Sequence, residues 1–187
     1  MEVLKKYHNN SIREHRKLIK KYLEKFSQSE LATALDFSIS DATKIAQKHD
    51  LDKCPGGNLY EAYVKISYLY HCKYNDIPAE IDYTMDLDDA TRDHIINNSH
   101  HPEYWDANYE PVIVTDFKNR DSTTINSVSG KDMDDEAIIE MCADWCAVGA
   151  QRGNSAYAWA SKVRENKRYT FTKEQWNFIY EILDIMN

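Results

Sequence analysis

The sequence predicts an all-α fold. Only 5 glycines and 4 prolines occur in 187 residues, whereas β-sandwiches and barrels need many tight turns rich in these residues. Apolar side chains recur every three or four residues along most of the chain, which is the spacing of one helix face. Several of these stretches follow a Ser, Thr or Asp that is suited to begin a helix. We therefore expect one helical domain spanning residues 1–187.

The first part of the chain contains four amphipathic or apolar stretches. In the first stretch, apolar residues and His15 share one face, and most of its Lys and Arg residues lie on the opposite, solvated face. Ser38 or Ser40 is expected to cap the third helix, and the Pro55-Gly56-Gly57 turn follows it. The predicted helices cover residues 11–26, 28–36, 39–49 and 58–74.

The second part of the chain carries clear signals for helix ends. Asp86 or Asp88 is expected to cap a helix that runs to about Asn98, and Pro102 interrupts the chain soon after. Thr172 and Gln175 have the spacing of a capping box. Gly149 and Gly153 are expected to bracket the end of another helix. The predicted helices here cover residues 134–149, 155–165 and 172–186.

Residues 108–130 are the least helical part of the sequence. The runs PVIVTDF and TTINSV are rich in β-branched and aromatic residues, and the polar turn KNRDS separates them. This pattern favours a short β-hairpin inserted into the helical body. An irregular excursion, or a mobile flap near a functional site, is an open alternative.

Charge and composition exclude several classes of protein. A net charge of -8 argues against binding duplex nucleic acid, which requires clustered Lys and Arg to contact phosphates. No apolar run approaches the roughly 20 residues of a membrane-spanning helix, and no signal peptide is visible at the N-terminus. We expect a cytoplasmic protein without a membrane partner. Its oligomeric state does not follow from the sequence.

The four cysteines do not suggest a disulfide framework. Cys142 and Cys146 lie four residues apart and share one helix face. With histidines nearby, this spacing is compatible with zinc. Burial of both thiols in the core is the preferred interpretation, because free cysteine is among the most buried residue types.

The strongest functional signal is a set of histidines and aspartates suited to bind a metal. His49 and Asp50 lie in HDLDK, His94 begins HIINNSHHPEYW, and Asp144 lies in EMCADW. Imidazole and carboxylate bind divalent metals of borderline softness, and an aspartate in an apolar stretch needs a cation. His15, on the buried side of the first helix, is a further candidate ligand.

Each member of this set also has a simpler explanation. His15 alone is compatible with a hydrogen-bonded core histidine, and His49 with a favourable position at a helix C-terminus. Asp144 alone is compatible with an arginine partner. His8 and His71 are expected to be surface or packing residues, with His71 the stronger candidate for a role.

Taken in order, HDLDK, the HHPEYW stretch and the distal Asp144 resemble the HD-domain superfamily of metal-dependent phosphohydrolases, and in particular a small bacterial and phage branch of it. The resemblance extends from His15 to the last helix. It implies an HD-type helical bundle that holds one or two divalent ions. Mn, Fe, Co, Ni or Zn suits a histidine-rich site better than Mg does.

The resemblance also implies roles for individual residues. His15, His49, Asp50 and Asp144 correspond to the ligands of one ion. In members with two ions, two further histidines lie between the His-Asp pair and the last Asp. His94 and either His100 or His101 occupy those places.

The reaction that the resemblance implies is hydrolysis of a small phosphorylated molecule, with a nucleotide as one option. Asp50 would bridge the metals or orient water, and Lys53 would contact a phosphate oxygen. His101 or Asn97 would orient substrate or protonate the leaving oxygen. Tyr104 and Trp105 would stack on a base, with core packing as the alternative.

Two other functions are compatible with the same residues. Some HD-type proteins hold two irons and oxidise their substrates with O₂, which requires His94 and His100 or His101 to be ligands. Alternatively, the domain binds a metal or nucleotide without catalysis. The sequence has no phosphate-binding glycine loop, no GxSxG and no HExxH, so nucleotide-loop ATPases, serine hydrolases and zincins have no support.

Overall fold

A computed structural model describes residues 1–114, 117 and 126–187 of the protein. This part of the chain is mainly helical, which confirms the predicted fold class. A 3₁₀ turn at Leu51–Lys53 follows the third helix, and there are two short strands, β1 (Val128–Ser129) and β2 (Tyr169–Thr170). The helices are α1 (Glu2–Phe26), α2 (Glu30–Ala34), α3 (Ile39–Lys48), α4 (Tyr60–Tyr74), α5 (Met85–Asn97), α6 (Pro102–Trp105), α7 (Asp135–Arg152), α8 (Ala156–Glu165) and α9 (Lys173–Met186).

Helix α1 begins at Glu2, so the predicted start at residue 11 is wrong. The neighbouring Asn9 and Asn10 have low helix propensity, which made this part look less helical than it is. Burial of His8 extends the apolar stripe by one turn, and this tertiary packing outweighs the local preference. The buried side chains of α1 are His8, Ile12, His15, Ile19, Leu23 and Phe26.

One of the two predicted N-caps of α3 and the predicted capping box of α9 are confirmed. Ser38, rather than Ser40, caps α3, and its hydroxyl accepts from the backbone of Asp41 while the Asp41 carboxylate accepts from the backbone of Ser38. Thr172 and Gln175 make the same reciprocal pair at α9. Local side-chain chemistry therefore determines where these two helices begin.

Helix α5 begins differently from the prediction, because Thr84 is its N-cap residue and neither Asp86 nor Asp88 is. Both aspartates lie in the first turn, where the helix dipole favours negative charge. Asp88 is 0% exposed, accepts from the hydroxyl of Tyr83 at 2.9 Å and lies 3.2 Å from Arg92 Nε. These two partners are close in sequence, whereas a third contact, from the backbone N–H of Val114, is distant and was not predicted from the spacing of polar residues.

Helix α7 runs to Arg152, so Gly149 lies inside it and does not mark its end. Gly153 is the C-cap and has a φ of 68°, in the left-handed region that glycine adopts without strain. At Gly149, a Cβ atom would lie 2.7 Å from the carbonyl oxygen of Asn154. This glycine therefore permits the chain after α7 to fold back closely on the helix.

The main core forms around α1, which packs against α3, α4, α7 and α9. Ile19, Leu23 and Phe26 are 0% exposed, and Ile179 and Leu183 of α9 are equally buried in the same cluster. A second cluster lies between α4 and α5 and includes Phe117. Helix α1 therefore joins the α4–α5 pair to the rest of the bundle.

The turn of the hairpin predicted at 108–130 lies outside the described residues, since 115–116 and 118–125 are not among them. Within the described part, β1 pairs in parallel with β2, with Val128 opposite Tyr169. A parallel pair needs a long crossover, which α7 and α8 provide here. The backbone N–H of Val114 donates to the carboxylate of Asp88 at 3.3 Å, which ties this region to α5.

Cys72, Cys142 and Cys146 are buried and Cys54 is partly exposed, all four as free thiols. The prediction that Cys142 and Cys146 are core residues is confirmed. Burial raises the pKa of the Cys146 thiol to about 12, so this thiol is protonated at neutral pH. In the described part of the chain, no helix has both the length and the apolar character needed to cross a bilayer.

The packing of α1 leads to a stability prediction. Leu23→Ala should lower the free energy of unfolding by about 2–5 kcal/mol, because it leaves a cavity at a position that is 0% exposed. Val3→Ala on the same helix is the control, since Val3 is 78% exposed and should change stability by less than about 0.5 kcal/mol. Urea unfolding followed by circular dichroism measures both values. Equal effects would show that α1 does not hold the core together.

Candidate metal centre

The candidate centre begins at a sharp turn after α3. His49 is the C-cap residue of α3, and Asp50 follows with a φ of 55°. This left-handed conformation costs a non-glycine residue about 1–2 kcal/mol, and such strain is concentrated at functional sites. The turn places the imidazole of His49 and the carboxylate of Asp50 side by side, with exposures of only 2% and 3%.

A first donor group combines side chains from α1, α3 and α7. His15 Nε2 lies 3.2 Å from His49 Nε2 and 3.1 Å from Asp144 Oδ1. Asp50 Oδ2 lies 3.8 Å from His15 Nε2 and 3.6 Å from His49 Nε2. We call His15, His49 and Asp144, together with Asp50 Oδ2, the first donor group. The packing of α1 against α7 brings its distant members together.

A second donor group lies on the other side of Asp50. His101 Nε2 lies 3.0 Å from His94 Nε2, and Asp50 Oδ1 lies 3.4 Å from His94 Nε2 and 3.8 Å from His100 Nε2. One nitrogen from each of the three histidines can be chosen so that all lie within 4.8 Å of one another. We call His94, His100 and His101, together with Asp50 Oδ1, the second donor group. The structure thus brings both members of the His100-His101 pair to this place.

Oxygen acceptors orient three of the five imidazoles through their Nδ1 atoms. Gln151 Oε1 lies 3.0 Å from Nδ1 of His15, Glu140 Oε1 lies 2.8 Å from that of His49, and Asp52 Oδ2 lies 2.7 Å from that of His94. An oxygen acceptor at that distance favours a proton on Nδ1. Nε2 then carries the lone pair, the arrangement found in proteins whose histidine ligands are oriented by a second shell of acceptors.

The contact between His15 and His49 requires a positive charge. Because both Nδ1 atoms donate, both Nε2 atoms carry lone pairs when the rings are neutral, and these atoms lie 3.2 Å apart. Two lone pairs at this separation repel each other unless a proton or a metal cation lies between them. The donor set therefore fits a divalent cation, which imidazole and carboxylate bind together.

The charges around Asp50 keep its carboxylate ionised, as a cation site requires. Burial disfavours its charged form, yet Lys53, His49, His94 and His100 outweigh this and hold the carboxyl pKa well below its usual range. The pKa of the Asp144 carboxyl is also lowered. Burial opposes its charged form, but His15 and other histidines outweigh this effect. Both carboxylates are therefore ionised at neutral pH.

Two histidines of the second donor group are held neutral. Burial, together with neighbouring positive charge, places the pKa of His100 and of His101 well below the usual range. Neutral imidazole is the form that binds metals. The same environment excludes these rings from carrying a permanent positive charge.

The residues predicted to contact substrate are not all at the centre. Lys53 is, since its Nζ lies 3.0 Å from Asp50 Oδ2. The amide of Asn97 instead donates to Asp93, and Tyr104 is 49% exposed. Trp105 donates to the carbonyl of Ser99 at 2.8 Å and packs against the main core. Packing, the alternative interpretation of Trp105, therefore describes its contacts.

A cavity of about 310 Å³ adjoins the centre. Its lining includes His49, His100 and Glu140, and Glu140 Oε1 lies 2.8 Å from His49 Nδ1 and 3.5 Å from His100 Nδ1. Its other lining residues are Asp41, Lys44, Ile45, Lys48, Asn97, Asn98, Ser99 and Glu136.

Sequence reasoning missed the residues that orient the ligands. Asp52 follows Asp50 by two positions, and Glu140 precedes Asp144 by one helical turn, a spacing that places both carboxylates on one face of α7. Gln151 carried no comparable signal. His8, expected at the surface or in packing, is buried and bonded to the carbonyl of Lys53 at 2.8 Å. Its i, i+7 spacing from His15 was the available clue.

Fold and site together define a helical protein with buried imidazoles and carboxylates that converge from separate helices on a candidate divalent-metal centre. The chain belongs to a family of unknown function, DUF5662, which it matches over residues 4–185. No curated protein and no solved structure matches it.

The orienting role of Asp52 leads to a prediction for metal binding. Asp52→Asn should weaken binding at the second donor group about 10–100-fold, because His94 loses a charged partner at Nδ1. Calorimetric titration of metal-free protein with Co²⁺ measures the affinity. The control Asp132→Asn removes an exposed carboxylate outside the centre. If the two variants bind Co²⁺ equally well, Asp52 does not support a ligand.

Proposed function

We propose that this protein is a metal-dependent phosphohydrolase that acts on a small phosphorylated substrate, with nucleotides as the first class to test. The observation that carries the proposal is the position of Asp50. Its two carboxylate oxygens face separate groups of imidazoles, in the manner of a carboxylate that bridges two metal ions. The order of the ligand candidates along the chain is also the order that the HD-domain resemblance implies.

In this proposal each donor group holds one divalent ion, with Asp50 shared between them. We assign His101 to the second donor group, because its Nε2 lies beside that of His94, rather than to protonation of a leaving group. Bound divalent ions lower the pKa of coordinated water and polarise a phosphoryl oxygen. Mn, Fe, Co, Ni or Zn fits five imidazoles better than Mg.

The charges of the centre favour an anionic substrate. Two divalent ions and the ammonium of Lys53 together carry one more positive charge than the four carboxylates around them. A phosphoryl group would neutralise this excess. Lys53, whose side chain is only 15% exposed, would then contact a phosphate oxygen as a point charge. The four carboxylates belong to Asp50, Asp52, Glu140 and Asp144.

The abundance of imidazole supports a second candidate, an HD-type oxygenase with two irons. This chemistry requires histidine ligands beyond the His-Asp pair, and His94, His100 and His101 lie together as it demands. Iron accepts mixed imidazole and carboxylate ligands. Two irons per chain with substrate-dependent O₂ uptake would favour this candidate, whereas phosphate release supported by Mn, Co or Ni favours hydrolysis.

The decisive experiment compares wild-type protein with Asp50→Asn. Metal-free protein is reloaded with Mn²⁺, Fe²⁺, Co²⁺, Ni²⁺, Zn²⁺ or Mg²⁺ and assayed for phosphate release from nucleoside mono- and triphosphates. We expect Asp50→Asn to lose about a hundredfold or more in rate, because Asp50 would hold the metal ions that stabilise transition-state charge. Asp132→Asn should retain the wild-type rate. A non-catalytic binding domain would release no phosphate with any metal, yet still lose stability in Asp50→Ala.

Metal binding should also stabilise the fold. At a free metal concentration about 100 times Kd, binding to the native state contributes about 2.7 kcal/mol. For a chain of this length that raises Tm by roughly 5–10 °C. Thermal unfolding of chelated and reloaded protein measures the shift, and Asp50→Asn should show little of it. An unchanged Tm in the wild-type protein would contradict a metal site at Asp50.

A further inference from the structure

The two oxygens of Asp50 have unequal surroundings. Oδ2 belongs to the first donor group but is already paired with the ammonium of Lys53, at 3.0 Å. Oδ1 faces the second donor group and, among the described residues, has no hydrogen-bond partner although it is buried. A buried carboxylate oxygen without a partner is unfavourable. A cation at the second donor group would therefore meet no competitor, whereas one at the first donor group would.

Lys53 is held in place at both of its ends. Its backbone carbonyl accepts a hydrogen bond from His8 Nε2 at 2.8 Å, and His8 Nδ1 accepts from the hydroxyl of Ser67 at 2.8 Å. Its Nζ lies 4.8 Å from the centre of the Tyr63 ring, where the face of an aromatic ring attracts a cation. The ammonium is thus built into the centre and is not a mobile surface charge.

A lysine in this position substitutes for a metal ion. It supplies one positive charge to a carboxylate that is 3% exposed, and an isolated buried charge would strongly destabilise the fold. Lys53 thus gives the Asp50 carboxylate a counter-charge that does not depend on a metal. The same charge opposes a divalent ion that approaches Oδ2, because like charges a few ångströms apart repel strongly in a poorly solvated site.

We propose that Lys53 is an internal counter-cation that competes with metal for Asp50 Oδ2, so that the second donor group is loaded before the first. This inference rests on the metal centre of the proposed function but not on its reaction. It predicts two ions of unequal affinity. It also makes Lys53 a residue that sets how many ions the protein holds at a given metal concentration.

The test is a titration of metal-free protein with Co²⁺. Calorimetry and the absorption of bound Co²⁺ both monitor the titration. Wild-type protein should bind in two separate steps, or in one step where the competition is complete. Lys53→Met should tighten the weaker step about tenfold or more, or reveal it, with a smaller effect on the tighter step. Asp144→Ala should abolish the weaker step and keep the tighter one.

Matched variants separate charge from structure. Lys53→Arg keeps the positive charge and should behave like the wild-type protein, whereas Lys53→Gln provides a second neutral side chain if the Met variant does not fold. Lys48→Met removes an exposed lysine near His49 and should leave both steps unchanged. A purely structural role for Lys53 would weaken metal binding in the neutral variants, which is the opposite of the expected change.

The outcomes distinguish this inference from the proposed function. A wild-type protein that binds no Co²⁺ removes the metal centre and the proposed function with it. A different result is that the wild-type protein binds Co²⁺ while neither neutral variant binds more tightly in the weaker step. That result overturns only the role of Lys53. Tightening in Lys53→Met or Lys53→Gln supports it, whether or not phosphate release is ever observed.

Discussion

The structure depends on the compensation of one buried negative charge. Asp50 lies among apolar helices with 3% exposure, and its carboxylate is stable there only if cations or donors surround it. Lys53 supplies one charge directly, and imidazoles from α1, α3, α5 and the segment before α6 surround the rest. Lys53 pairs with Oδ2, but Oδ1 has no hydrogen-bond partner among the described residues, and the surrounding donor atoms converge in the manner of metal ligands.

The helical bundle brings these imidazoles and carboxylates together because the same helices form the hydrophobic core and carry the candidate ligands. Helix α1 buries Ile19 and Leu23 in the main core and presents His15 on the same face, about one turn before Ile19. Helix α7 does the same with Asp144 between its buried cysteines. Packing that stabilises the fold therefore also sets the ligand distances, and displacement of α1 would disturb both. Acceptors at the outer ring nitrogens then fix which nitrogen faces inward.

Sequence patterns predicted correctly those features that depend on residues close together in the chain. The capping boxes at Ser38 and Thr172 follow from side chains three residues apart, and both are present. The start of α1 and the cap of α5 were mispredicted, because burial of His8 and the contacts of Asp88 depend on residues distant in sequence. For the same reason the orienting residues Glu140 and Gln151 were not recognised.

The amino-acid pattern alone determined the helical class, most helix positions and the set of residues capable of binding metal, because periodicity, capping and ligand chemistry are properties of short segments. Only the tertiary structure decided that both His100 and His101 lie beside His94, and that the two oxygens of Asp50 face different partners. The first fact depends on the path of the chain between α5 and α6. The second depends on the left-handed turn at Asp50 and on the long-range packing that brings several helices to it, and residue spacing encodes neither.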